Sequence, residues 1–216
     1  MRYKYIIFDR DGTLNKSAES AGGYILHPDQ MTLLPGAKNA LNALFKEGVR
    51  AFVFTNQPAI GEGLLSKNIL IRIHNKLKSL IGKENPIEAF YHCPHIEGDH
   101  CDCRKPKPGL LKDCIEDNNL DKNDVLVVGD GMEDYQSAKA LGLNFAFIKS
   151  GKHTEADYKK AKNTPFFDDL PALVNHFYGL EVCELGKEHS VYGVSLFIIL
   201  AEIIGLFIYA LTYQYY

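Results

Sequence analysis

Two aspartates stand two residues apart near the start of the sequence, directly after an apolar run. Asp9 and Asp11 follow Phe8, and Gly12 lets the chain turn so that both carboxyl groups face one point. A carboxylate can attack phosphorus and form an aspartyl-phosphate. A neighbouring carboxyl group can protonate the leaving oxygen and then activate water. The pattern therefore predicts phosphoryl transfer with Asp9 as the nucleophile and Asp11 as the general acid and base.

A cation is needed beside these side chains, because adjacent carboxylates repel each other and repel a phosphate group. Oxygen ligands suit a hard cation, and Mg²⁺ is the usual choice in phosphoryl transfer. Asp130 follows a later apolar run and completes a predicted magnesium set of Asp9, Asp11 and Asp130. Asp134 lies one helical turn further on and is expected to contact these ligands without binding the ion itself.

A second cluster of ligand-type side chains lies within a short polar loop in the middle of the chain. Its members are Cys93, His95, Cys101 and Cys103, with His92 and His100 as competing ligands of lower rank. Three thiolates with one imidazole are a typical closed ligand set for structural zinc. Arg104 and Lys105 directly follow the last cysteine, so zinc would pin the segment that carries two candidate phosphate-binding cations. The scattered histidines, including His74, are interpreted as surface or loop residues.

Alternating strands and helices must position these residues. Short β-branched and aromatic runs predict strands at 4–8, 49–55, 89–92, 125–129 and 144–148. Helical patterns lie between them, at 37–46, 66–80, 108–117 and 133–141. Several of the strands are apolar at consecutive positions, which is typical of strands that are buried on both faces of a parallel sheet. The pattern predicts an open α/β fold, a parallel sheet flanked by helices.

The candidate site residues follow the predicted strands immediately. Asp9 and Asp11 follow the first strand, Thr55 and Asn56 come at the end of the second as candidate phosphate-binding residues, and Asp130 follows the fourth. Ligands of open α/β sheets bind outside the carboxyl ends of the strands. These side chains are therefore expected to meet at one edge of the sheet.

Four segments of the chain resemble the four motifs of the haloacid dehalogenase (HAD) superfamily of phosphatases. They are FDRDGTLN, TNQ, RKPKPG and VVGDGMEDYQSA. The resemblance covers about residues 2–178 and implies a Rossmann-like core. It also implies that Thr55 holds an oxygen of the transferring phosphoryl group and that Lys105 offsets charge on the nucleophile and the phosphate. Asp130 would bind Mg²⁺ together with Asp9 and the backbone carbonyl of Asp11.

The zinc-type loop, CPH-x5-CDCRKPKPG, resembles that of two related groups of phosphatases. The segments GGYILHPDQMTLLPGAKNAL and TNQPAIGEGLLS are similar to the D-glycero-D-manno-heptose 1,7-bisphosphate 7-phosphatases. The five-residue spacing inside the loop is more typical of the histidinol-phosphate phosphatases. The resemblance thus implies a small phosphorylated sugar, most of all a heptose bisphosphate, as substrate, with histidinol phosphate as the alternative. A third alternative is a membrane-tethered binding module without catalytic activity.

The spacing of the motifs leaves no room for a large cap domain. The stretch between Asp11 and Pro35 is short, and one helix, one strand and the zinc-type loop fill the stretch between Thr55 and Lys105. The active site is therefore expected to be open. The zinc-type loop and the segment Gly22-Gly23-Tyr24 would form its rim.

Composition narrows the classes of partner. The chain has 216 residues and a formal net charge of -3, so no basic field favours nucleic acid. Its N-terminus lacks the layout of a secretory signal, which predicts a cytoplasmic protein. Five cysteines in such a chain favour a metal site over a disulfide framework.

The C-terminal segment is unusually apolar. Between residues 191 and 211 the only charged residue is Glu202, and this length is enough to span a bilayer as a helix. The sequence predicts a phosphatase domain at 1–180, a linker at 181–190 and an apolar helix at 191–216. That helix would either tether the protein to the cytoplasmic face of a membrane, pack on the catalytic domain or a dimer partner, or be a foreign tail.

Overall fold

The computed structural model describes residues 2–18, 23–149, 161 and 164–182. Six parallel strands form one sheet in the order β3-β2-β1-β4-β5-β6. Their bounds are β1 Tyr5–Phe8, β2 Arg50–Asn56, β3 Ile87–Cys93, β4 Val125–Gly129, β5 Asn144–Ile148 and β6 Phe166–Phe167. The strand order reverses beside β1, which lies between β2 and β4 at the centre of the sheet.

Within the described residues, five α-helices cover the two faces of this sheet. They are α1 Ala37–Lys46, α2 Lys67–Ile81, α3 Gly109–Asp117, α4 Met132–Ala140 and α5 Leu170–Tyr178. Side chains on a strand point alternately to opposite faces, so Ile6 and Phe8 contribute to one core while Ile7 contributes to the other. Helices α1, α2 and α5 pack on the first face, and α3 and α4 pack on the second.

The predicted α/β architecture is confirmed. All five predicted strands and all four predicted helices are present, with ends that differ by at most two residues. The sequence patterns had not identified β6 or α5. A two-residue strand is too short for any periodicity, whereas α5 carries recognisable boundary signals. Asp169 caps its N-terminus by accepting from the Ala172 amide, and Gly179 ends it in the left-handed conformation.

The described connections contain no separate cap domain, as predicted. Between β1 and α1, the described residues form loops and one turn of 3₁₀ helix, Pro28–Gln30. Between β2 and β3 the only helix is α2, which begins after the Ser66 cap. The carboxyl edge of the sheet is therefore approached only by loops within the described part of the chain.

The C-terminal segment lies largely outside the described residues. The chain divides after Cys183 into two units, Met1–Cys183 and Glu184–Tyr216. The predicted apolar helix at 191–216 and most of the predicted linker belong to the second unit, so the proposed domain limits stay a prediction. Among the described residues, no helix is long and apolar enough to cross a membrane.

Candidate active site

The carboxyl ends of the three central strands bring the predicted aspartates together. Asp9 follows β1, and its amide donates to the Val128 carbonyl of β4 at 2.8 Å. Asp130 follows β4, and Thr55 lies near the end of β2 on the other side. Asp9, Asp130 and Thr55 are all buried. The strand-end argument from the sequence therefore places these side chains correctly.

Lys105 is the cation at the centre of the cluster. Its Nζ donates to Asp9 Oδ1 at 2.5 Å and to Asp134 Oδ1 at 2.6 Å, and it lies 4.4 Å from the ring centroid of Phe54. Burial alone would lower the pKa of Lys105, but the charges of Asp134 and Asp9 outweigh it and leave the pKa raised. The amine is therefore held protonated, and it links the nucleophile candidate to a carboxylate from α4.

Three carboxylates lie close enough to share one metal ion. Asp9, Asp130 and Asp134 each offer an oxygen, and these oxygens lie within 4.8 Å of one another. With all three carboxylates ionised, they and the ammonium group of Lys105 would carry a formal net charge of -2, which a divalent cation would neutralise. Burial raises the pKa of Asp9; Lys105 opposes the rise, whereas Asp134 and Asp130 add to it. The donor set fits Mg²⁺, which prefers carboxylate oxygens.

Gly12 makes the close approach of the first loop to Asp130 possible. Its φ is +94°, and a Cβ atom at this position would collide with the Asp130 carboxylate. Any side chain at this position would therefore displace a predicted metal ligand. The requirement for glycine here comes from both the backbone conformation and the lack of space.

The Asp11 carboxylate lies apart from the metal-type cluster of Asp9, Asp130 and Asp134. Arg10 donates to both of its oxygens, from Nε at 3.1 Å and from a terminal nitrogen at 2.7 Å, and Asn15 and Gln57 donate at 2.8 and 3.0 Å. Burial pushes the pKa of Asp11 upward, but the charge of Arg10 and these hydrogen bonds outweigh it and leave the pKa lowered. The side chain is held as a carboxylate. A role of its backbone carbonyl toward Mg²⁺ stays a prediction.

The end of β2 connects these groups. Gln57 is buried, and its Nε2 donates to Asp11 Oδ2 and, at 2.9 Å, to Thr55 Oγ1. Thr55 thus accepts one hydrogen bond and keeps its own proton for donation. The Asn56 side chain donates to the Lys105 carbonyl at 3.3 Å and accepts from the Lys105 amide at 3.1 Å. The Asn56 side chain thus holds the backbone of Lys105, and its contact with phosphate stays a prediction.

The four predicted zinc ligands form a compact cluster at the end of β3. Cys93 Sγ lies 3.6 Å from Cys101 Sγ and 3.6 Å from His95 Nδ1. Cys103 Sγ lies 3.5 Å from Cys101 Sγ and 3.3 Å from His95 Nδ1. In a tetrahedral site with Zn–S bonds of about 2.3 Å, neighbouring sulfurs are about 3.8 Å apart. The observed spacings are near the edges of such a tetrahedron, so the donor set fits zinc.

The zinc-type loop and the start of α4 line a half-open cavity beside Lys105. Its volume is about 300 Å³, and Arg104, Lys107 and Glu133 contribute to its walls. Arg104 also donates to the His95 carbonyl at 3.2 Å, which connects this cation to the cluster of predicted zinc ligands. On the expected rim, the Tyr24 hydroxyl donates to Glu62 at 3.0 Å; the preceding Gly22 lies outside the described residues.

Several residues of the site had not been recognised from the sequence. Arg10 and Gln57 are buried partners of the predicted residues, and Asp134, which the sequence placed beside the magnesium set, is buried as well. His74 is not a surface residue; it is buried on the inner face of α2, with its Nε2 3.2 Å from an Arg10 nitrogen. Its position one residue after Ile73 on the apolar stripe of α2 was a signal of burial.

Comparison with known proteins places this geometry in context. A family model described as HAD-hydrolase-like matches residues 102–173. A D-glycero-beta-D-manno-heptose-1,7-bisphosphate 7-phosphatase from Pseudomonas putida is 33% identical over 172 residues, which cover 79% of this chain and 97% of that protein. The enzyme of the same name from Pasteurella multocida is 35% identical over 181 residues, or 79% of this chain and 96% of that protein.

A solved structure agrees with these relatives. The crystal structure of the D,D-heptose 1,7-bisphosphate phosphatase from B. bronchiseptica, complexed with magnesium and phosphate, matches with a TM-score of 0.73 and 28% identity. The match covers 80% of this chain and 97% of that one. The fold and the sequence thus point to the same group of proteins.

Proposed function

Because the chain belongs to the D-glycero-beta-D-manno-heptose-1,7-bisphosphate 7-phosphatase family of HAD-like hydrolases, we propose that it hydrolyses the 7-phosphate of that sugar bisphosphate. The observation that carries the proposal is the buried contact of Lys105 with Asp9, at the meeting point of the three central strands. It joins a carboxylate nucleophile to a fixed positive charge, as attack on a phosphate dianion requires.

In the first step, an Asp9 oxygen forms a bond to phosphorus, and the bond from phosphorus to the C7 oxygen breaks. The leaving oxygen takes a proton from Asp11, which gives the sugar alcohol and an aspartyl-phosphate on Asp9. The Asp11 pKa is low without substrate, and the negative charge of an arriving phosphate would raise it and favour the acid form. Thr55 donates its hydroxyl proton to a phosphoryl oxygen.

In the second step, water attacks the phosphorus of the aspartyl-phosphate. Asp11, now a carboxylate, takes a proton from this water, and the bond between phosphorus and Asp9 breaks to release inorganic phosphate. The net reaction consumes one water and one phosphomonoester. Hydrogen bonds donated by Arg10, Asn15 and Gln57 hold the Asp11 carboxylate in one orientation, which favours proton transfer in both steps.

Magnesium is the proposed catalytic cofactor. Asp9 and Asp130 would bind it, with the backbone carbonyl of Asp11 as predicted, and the proximity of Asp134 adds a third carboxylate to the site. When bound, Mg²⁺ supplies charge neutralisation for the phosphoryl group and keeps the nucleophile ionised. The formal net charge of -2 that the ionised cluster would carry supports this requirement.

Zinc is the proposed structural cofactor, held by the cluster of Cys93, His95, Cys101 and Cys103. This ion would contribute to folding of the loop and not to the chemical steps. Its effect on the active site would pass through Arg104 and Lys105, which follow Cys103 directly. Arg104 lines the cavity beside Lys105, so we propose that it binds the sugar part of the substrate, away from the phosphoryl group that is transferred.

The alternatives receive less support. The relatives described above are heptose bisphosphate phosphatases, which favours the heptose substrate over histidinol phosphate. The complete set of Asp9, Asp11, Thr55, Lys105 and Asp130 disfavours a binding module without activity. A cytoplasmic location and a membrane tether through 191–211 stay predictions.

Measurement of kcat/KM on both substrates tests the proposal. Heptose 1,7-bisphosphate should be hydrolysed with at least about tenfold higher kcat/KM than histidinol phosphate when Mg²⁺ is present. Replacement Asp9→Asn removes the nucleophile and should lower kcat by at least about 10⁴-fold. A preference for histidinol phosphate would overturn the substrate assignment, and a D9N variant with wild-type kcat would overturn the mechanism.

A further inference from the structure

We propose that His74 is a positioning residue for the reaction: its Nε2 accepts a hydrogen bond from Arg10 and so fixes the guanidinium group that orients Asp11. The inference rests on the proposed function, because it assigns a role to a buried residue on α2 in the proton transfers of Asp11. Among the described residues, His74 forms no hydrogen bond with the three clustered carboxylates or with Lys105.

The geometry of the guanidinium group is the first argument. All three nitrogens of Arg10 have an acceptor: Nε and one terminal nitrogen donate to the two oxygens of Asp11, and the other terminal nitrogen lies 3.2 Å from His74 Nε2. A planar guanidinium that is held at three corners has no freedom to rotate. Without an acceptor at the third corner, the plane could tilt and carry the Asp11 carboxylate with it.

The chemistry of the donor sets the protonation state of the ring. Arginine has no lone pair to offer, so His74 Nε2 must be the acceptor and the ring must be neutral with its proton on Nδ1. Burial, followed by the charge of Arg10, lowers the pKa of His74 to about 3. The neutral ring therefore persists at physiological pH, and Arg10 keeps its acceptor.

The position of the ring is fixed by packing from outside the site. His74 stacks on Phe90 of β3 with ring centroids 4.1 Å apart and an interplanar angle of 11°. Arg10 is completely buried, so water cannot replace His74 as its acceptor. A buried charged donor without a partner is costly. These contacts connect α2 and β3, both remote in sequence from Asp11, to the orientation of the acid/base group.

Two variants separate this role from simple packing. Gln carries an oxygen at a reach similar to that of Nε2, whereas Met fills a similar volume without an acceptor of comparable strength. With the magnesium- and zinc-loaded full chain, His74→Met should lower kcat about 10- to 100-fold, the range that corresponds to loss of one hydrogen bond to a charged group. Its KM should stay within about twofold, because His74 does not touch substrate. His74→Gln should restore kcat to within about threefold of wild type.

A matched control removes the effect of stability. Leu77 is fully buried one turn further along the same face of α2, and Leu77→Val destabilises the helix packing without touching Arg10. This variant should lower Tm yet keep kcat. Equal kcat values in H74M and H74Q, or a loss of kcat in L77V as large as in H74M, would overturn the positioning role.

A spectroscopic readout makes the test independent of the substrate. The Nη1–H NMR signals of Arg10, which belong to the nitrogen that faces His74, should be protected from solvent exchange in wild type and in H74Q, and should exchange much faster in H74M. If wild type fails to hydrolyse heptose bisphosphate, the proposed function is wrong, and this signal still decides the role of His74. An unchanged Arg10 signal in H74M would overturn the inference.

Discussion

Asp9 and Asp11 occupy different electrostatic environments although one residue separates them. Asp9 lies among carboxylates, and burial raises its pKa, whereas Arg10 holds the pKa of Asp11 low. Neighbouring carboxyl groups whose environments push their pKa values apart are suited to different roles. At the residue scale, the site thus separates a nucleophile that needs a cation from an acid/base group that has its own fixed partner.

Replacement Gly12→Ala should disrupt the metal-type cluster more than the fold. A Cβ atom would collide with Asp130, and the φ of +94° disfavours alanine. We expect kcat to fall by about 100-fold or more and the Mg²⁺ concentration for half-maximal activity to rise. Steady-state rates measured across a Mg²⁺ titration will check this.

Gly48→Ala is the matched control for this prediction. Gly48 also has a positive φ, +72°, but no atom lies within 4 Å of the position that its Cβ would take. This variant should show the backbone penalty, of about 1 kcal/mol, as a lower Tm with unchanged kcat. If G48A lost as much activity as G12A, the collision with Asp130 would not explain the loss.

At the scale of elements, the loops after β2 and β3 act as one support for Lys105. Asn56, the last residue of β2, accepts from the Lys105 amide and donates to the Lys105 carbonyl. The Gln57 amide donates to the Cys93 carbonyl at 2.8 Å, and the Gly61 amide donates to the Pro94 carbonyl at 2.9 Å. The zinc-type cluster therefore closes a loop whose base is already bonded to the neighbouring strand end.

Loss of one zinc-type ligand should loosen this support. Cys101→Ser removes a thiolate, and we expect zinc content to fall from one equivalent to near zero. A stability loss of about 2 kcal/mol would lower Tm by roughly 4–8 °C for a chain of this size. The kcat should fall as well, because Lys105 and Arg104 lose their anchor. Metal analysis, thermal unfolding and steady-state kinetics on one preparation will test these expectations together.

Cys114→Ala provides the comparison for this variant. Cys114 is a buried free cysteine of α3 and lies outside the four-residue cluster. Its replacement should lower Tm through lost packing while zinc content stays at one equivalent. A C101S protein that retained full zinc would show that the cluster does not hold the ion as proposed.

At the scale of the whole molecule, all proposed site residues belong to the unit Met1–Cys183. The sheet, its two cores and both metal-type clusters are contained in the described part of this unit. The apolar segment at 191–211 supplies none of the proposed catalytic residues. Catalysis and the role of the C-terminal segment should therefore be separable.

A chain shortened to residues 1–183 should keep kcat and KM within about twofold of the full chain. If 191–211 is a membrane tether, the full chain should sediment with membranes after high-salt and carbonate washes, and the shortened chain should stay in the supernatant. A full chain found wholly in the supernatant would contradict the tether. A shortened chain without activity would show that catalysis depends on the C-terminal segment.

Apolar patterning was enough to predict five of the six strands in the described part of the chain and the helices between them, because consecutive apolar residues in a parallel sheet leave a clear signal. It did not reveal β6, whose two residues carry no period. It also misjudged His74, whose position on the apolar stripe of α2 signals burial but does not identify its partner. Arg10 and His74 are far apart in sequence, and only the packing of α2 against the first loop joins them.

The sequence by itself determined the chemistry that each motif carries. The paired aspartates after β1, the aspartate after β4 and the Cys/His loop are contiguous motifs, and their local spacing limits what they can do. The tertiary structure alone decided the partners of those groups. The Lys105 amine bridges Asp9 and Asp134, and Asn56 holds the Lys105 backbone, because strand register and helix packing bring distant residues into contact. Such pairings depend on the whole sheet, and no local pattern encodes them.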